Sequence, residues 1–91
     1  MTTEKGNTMS LTTTQRDIKS FKRDAILRIT MPDKQPVTCR PVKYDNTWRL
    51  QDTKDLTIYY DFGFCQNIND LRDAMLREYE AGRILRVIIT N

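Results

Sequence analysis

Histidine is missing from all 91 residues. With it go the commonest general base, the commonest zinc ligand and every Ser-His or Cys-His nucleophile pair. Glycine is scarce as well: Gly6, Gly63 and Gly82 stand far apart and build no phosphate-cradling loop. Serine is limited to Ser10 and Ser20, and the two cysteines, Cys39 and Cys65, follow no metal or redox spacing. No apolar run approaches the roughly 18 residues of a membrane span. The polar, Thr-rich start has no hydrophobic stretch of the signal-peptide kind. These absences predict a cytoplasmic protein with reduced thiols and no membrane contact. They also predict no bound metal, no cofactor and no enzymatic activity.

What is present is charge. Lys, Arg, Asp and Glu make up 30% of the chain, with a net charge of +3. The excess is uneven, +5 over residues 1–54 and −2 over residues 55–91. The length allows one domain, and a chain of this size removes only roughly two thirds of its unfolded surface from water. A deep substrate cavity is therefore not expected.

Residues 1–13 hold almost nothing to bury and are expected to form a disordered tail, with Met9 as an alternative start. Residues 14–91 then form a single domain. A first helix is predicted from Thr13 or Thr14 to about Arg23, with Ile18, Phe21 and Ala25 as its apolar stripe. Alternation over Ala25–Met31 predicts a strand with Leu27 and Ile29 on one parity, stopped by Pro32-Asp33. Pro36–Tyr44 reads as a second strand, in which Pro41 calls for a sheet edge or a bulge. Asp45-Asn46 makes a two-residue turn into a third strand, Thr47–Gln51, with Trp48 and Leu50 inward. Leu56, Ile58, Tyr60, Phe62 and Phe64 share one parity and predict a long, regular fourth strand.

A second helix is expected after Ile68, with Asn69 as N-cap, Asp70 and Asp73 in its first turn, and Leu71, Met75 and Tyr79 along its buried stripe. Gly82 ends it as a left-handed cap. The last strand, Ile84–Thr90, is apolar at nearly every position except Arg86, which predicts burial on both faces or a central place. The link before it is long enough for a crossover that sets it parallel to a neighbour. The fold class is thus α+β, in the order α-β-β-β-β-α-β, with a mainly antiparallel sheet and helices on one face.

No constellation of residues points to catalysis. Cys39 falls on the inward parity and reads as a small buried hydrophobe, whereas Cys65, near a strand end, is expected to be partly exposed. Asp52 and Asp55 flank a turn, and Asp70 and Asp73 start a helix, so these carboxylates have structural work. Asp61-Phe62-Gly63 spells the kinase metal-binding tripeptide without any of the motifs that accompany it.

Two surfaces remain. If the helices cover one side of the sheet, Thr38, Arg40, Thr57, Tyr59 and Arg86 lie on the other. Arg40, Tyr59 and Arg86 are then the candidate protein-binding residues. The strand carrying Pro41, as an edge, is expected to accept a partner strand or a second copy of the chain in a homodimer. The other surface is the basic side of the first helix, Arg16, Lys19, Lys22 and Arg23, joined by Lys34, Arg40, Lys43 and Arg49 of the first hairpin. Salt-dependent nucleic-acid binding, with Tyr44 and Tyr59 as stacking faces nearby, is the alternative it offers. The expected function is stoichiometric contact with another protein, as an inhibitor, adaptor or regulator. Small size, few catalytic groups and a polar start match the style of accessory proteins of phages and mobile elements, and carry no residue over.

Overall fold

Seven elements follow one another in the computed structural model, which describes residues 11–91. Helix α1 spans Thr13–Ser20 and is followed by strands β1 (Leu27–Thr30), β2 (Val37–Tyr44), β3 (Thr47–Asp52) and β4 (Tyr59–Tyr60). Helix α2 (Ile68–Glu80) and strand β5 (Arg86–Ile89) complete the chain. The order is α-β-β-β-β-α-β, and the expected tail up to residue 10 lies outside the described residues.

The five strands form one sheet in the order β4-β3-β2-β1-β5, and every neighbouring pair is antiparallel. Both helices lie on the same side of it. Ile18 and Phe21 from the first helical segment and Leu71, Ala74 and Met75 from α2 join Leu27, Ile29, Cys39, Leu50 and Val87 in one buried cluster. That cluster is the core. Trp48, Tyr60 and Phe62 pack against it half-buried.

The helix ends are set by side chains. Thr12 caps α1: its hydroxyl accepts from the Gln15 amide at 3.0 Å, while the Gln15 side chain accepts from the Thr12 amide at 2.8 Å. Thr12 and Thr13 therefore belong to the folded body and not to a tail. The helix stops at Ser20, three residues before the expected Arg23. Phe21 turns extended, and the Arg72 Nε donates to its carbonyl at 2.9 Å, a bond that replaces the next helical turn. Asn67, not Asn69, caps α2, accepting from the Asp70 amide at 2.9 Å, and Asp70 reaches back to the Gln66 amide. Only Asp70 of the expected acidic pair lies in the first turn. At the other end Gly82 has φ +79°, as expected, with the Gly82 amide donating to the Tyr79 carbonyl and Arg83 to Glu78.

Three strand expectations are corrected. The long fourth strand is reduced to Tyr59–Tyr60. Asp52 accepts from the amides of Lys54 and Asp55, and Asp55 binds Thr57, so residues 52–58 are drawn into turns. Beyond Tyr60 the chain leaves the ladder through Gly63, at φ +87°, whose carbonyl accepts from the Thr47 hydroxyl, and it rejoins β3 where the Trp48 amide donates to the Cys65 carbonyl. Leu56, Ile58 and Phe64 consequently end exposed rather than inward. Pro41 sits in an interior strand, yet β1 pairs only as far as Cys39, so the Pro41 half of β2 is paired with β3 alone.

The last strand lies at an edge, antiparallel to β1, and neither central nor parallel. The Val87 amide donates to the Thr14 hydroxyl at 3.3 Å and the Ile89 amide to the Asp17 carboxylate at 2.9 Å. Side chains of α1 thus take the place of a sixth strand. The Asp45-Asn46 turn is as expected, with φ of 57° and 62° at its two residues.

Candidate functional site

Alternation along each strand sends every second residue away from the helices. The register brings together Arg28, Thr30, Thr38, Arg40, Val42, Tyr44, Arg49, Gln51, Tyr59, Arg86 and Ile88 on that uncovered face. The three candidate residues Arg40, Tyr59 and Arg86 are all among them. Thr57 is not part of the ladder; it is tied to Asp55 in the preceding turn.

The register also aligns four arginines. Arg86 lies opposite Thr30, Arg28 opposite Thr38, and Arg40 opposite Gln51. Each of Arg86, Arg28, Arg40 and Arg49 is therefore two residues away from direct pairing with the next, always in the same sense. They form a straight diagonal across β5, β1, β2 and β3. At roughly 7–8 Å per diagonal step the three steps make the stripe about 21–24 Å long.

Cross-strand contacts hold the stripe at its β3 end. Arg40 donates through Nε and Nη2 to the Gln51 side-chain oxygen at 3.2 and 3.1 Å. Gln51 in turn donates to the Leu56 carbonyl at 3.0 Å and lies 3.3 Å from the Tyr59 hydroxyl. The rings of Tyr44 and Tyr59 stack with centroids 5.1 Å apart and planes 10° apart. The Arg49 guanidinium sits 5.6 Å from the Tyr44 ring centre and 3.9 Å from the Asp61 carboxylate, and its Nε has no hydrogen-bond partner among the described residues. At the other end Arg28 and Arg86 are exposed, and among the described residues neither has a salt-bridge partner.

The basic residues of the first helical segment do not join this face. Arg16, Lys19, Lys22 and Arg23 are exposed on the helix side of the molecule, where Arg23 lies 5.8 Å from the Trp48 ring centre. Arg40 and Arg49 project from the opposite side. The single basic surface expected from helix and hairpin is thus two surfaces.

Both thiols are buried. Cys39 is fully buried, and burial with the nearby Asp52 carboxylate pushes its pKa up to about 12. Cys65, expected to be partly exposed, is 1% exposed because its amide and carbonyl are anchored to Thr47 and Trp48. Burial raises its pKa too, with Asp70 and Asp61 adding to the effect. Asp52 and Asp55 are occupied by turn amides. Among the described residues no group of three or more potential ligands is placed to hold a metal ion, and no helix is long and apolar enough to cross a membrane.

Sequence reasoning paired Tyr44 with Tyr59 as stacking faces but missed Arg28 and the diagonal alignment. The outward parity of Arg28 is visible from Leu27 and Ile29, but alignment across strands depends on register, which a single strand does not carry. The chain matches no protein-family profile, no curated protein and no solved structure.

Proposed function

We propose that the chain is a non-enzymatic binding protein that acts by stoichiometric contact, as an inhibitor, adaptor or regulator. Its contact surface is the uncovered sheet face, and its partner is an acidic macromolecule. One observation carries this reading: both helices close one side of the sheet, while the other side carries an aligned set of arginines beside a stacked tyrosine pair. Arginine and tyrosine are the side chains that dominate binding energy at recognition surfaces. Arg28, Arg40, Arg49, Arg86, Tyr44 and Tyr59 are not among the residues of the buried core.

The test is capture of partner from an extract of the source cells by the immobilised chain and two charge-reversed forms. Arg40→Glu with Arg86→Glu removes capture, and Lys19→Glu with Arg23→Glu leaves it intact. Loss with the helix pair alone would move the site to the first helix and overturn the assignment.

A further inference from the structure

We infer that the acidic partner is a single-stranded nucleic acid lying along the arginine diagonal, with a base against the tyrosine pair; this rests on the open face being the contact surface. Three observations favour a strand over an acidic protein. The arginine backbone positions are evenly stepped along a line, with one arginine on each of four successive strands. A repeating backbone phosphate matches such a row, whereas carboxylates on a folded surface are scattered. The line ends beside stacked aromatic rings, and unpaired bases stack on rings presented by a sheet. Finally, the donors are guanidinium groups, whose planar fork fits phosphate oxygens in pairs.

Fluorescence anisotropy decides the matter. The probes are a labelled 12-nucleotide oligothymidylate, a 12-base-pair duplex and a polyglutamate peptide, each titrated with the full chain at 50 and 200 mM salt. The expected result is that the single strand binds more tightly than the duplex or the peptide. With up to three phosphates neutralised by Arg28, Arg40 and Arg86, Arg49 being paired with Asp61, its affinity falls about 20-fold between the two salt concentrations. Arg28→Glu with Arg86→Glu weakens it at least tenfold at 50 mM salt, Tyr59→Ala weakens it at both salt concentrations, and Lys19→Glu with Arg23→Glu leaves it unchanged. Circular dichroism confirms that each variant folds.

An oligothymidylate that is not bound at 50 mM salt, or whose binding survives Arg28→Glu with Arg86→Glu, overturns the inference. If polyglutamate is then bound and lost with that pair, the acidic-partner reading stands and only the nucleic acid is wrong. If no probe is held at 50 mM salt, both fall. Binding lost with the helix pair instead assigns the strand to the first helix and also refutes the inference.

Discussion

The two faces of this sheet are made by the same strands and do opposite work. Leu27 and Ile29 go into a core sealed by two helices, while Arg28, between them, faces outward beside other arginines. On the covered side, burial of apolar side chains is the stabilising term, and each methylene removed from it leaves a gap. On the open side there are long cations, two rings and a glutamine, joined by hydrogen bonds that organise the surface without closing it. On the proposed reading, stability and recognition are separated by one residue of strand parity. Changes on one face should leave the other nearly untouched.

The largest expected break in that comparison comes from Leu27→Ala. The side chain is fully buried in one cluster with Ile29 of its own strand, Cys39 and Val87 of the neighbouring strands and Ile18 of α1, so truncation should lower stability by about 2–5 kcal/mol. Urea denaturation measures it. A loss under 1 kcal/mol would mean that the core collapses around the gap, and that the two faces differ less than burial implies.

The sheet edges sharpen the same contrast. The β5 edge is closed by Thr14 and Asp17, whereas the β4 edge is only two residues long before the chain swings away. Asp17→Ala leaves the half-buried Ile89 amide without its carboxylate and should cost about 1–3 kcal/mol. An unchanged urea midpoint would show that water replaces Asp17 at that edge, which would then be open to pairing.

Much of this was legible in the sequence, and the failures share a cause. Element order, the helices on one face, the Asp45-Asn46 turn and the Gly82 cap all follow from local patterns: apolar period, turn residues and left-handed backbone. The fourth strand misled because its perfect alternation competes with Asp52, Asp55 and Gly63, whose turn chemistry takes precedence. The last strand misled because its apolar composition suggested a central position, while helix side chains made an edge acceptable. Of the site, Arg40, Tyr59 and Arg86 could be placed by parity. The diagonal required the pairing of β5 with β1, a contact between segments far apart in the chain.

The α2 cap separates local from tertiary signals. Asn69 is the cap expected from the sequence, and the structure uses Asn67. Asn67→Ala should cost about 1 kcal/mol. Asn69→Ala, which removes only an exposed bond from Arg72, should stay within about 0.5 kcal/mol. Thermal melting of the two variants checks the order, and a reversal would make Asn69 the cap and move the helix start from Ile68 to Asp70.

The smallest expected effect is the one that most directly separates the faces. Arg28→Ala removes the middle of the stripe, a side chain that lies diagonal to both Arg86 and Arg40 and has no salt-bridge partner among the described residues. Steps of roughly 7–8 Å are shorter than the Debye length of about 10 Å at 0.1 M salt, so neighbouring arginines repel one another in the free protein. Truncation should therefore change stability by no more than about 0.5 kcal/mol. Any change should be toward greater stability and should shrink as salt is added. A row of like charges that contributes nothing to folding, and costs a little at low salt, is the arrangement expected where an anion supplies the missing partner. Melting curves at 20 and 500 mM salt measure both the size and the sign. A loss above 1 kcal/mol at either concentration would make Arg28 part of the framework, and would remove the distinction between the face that folds and the face that binds.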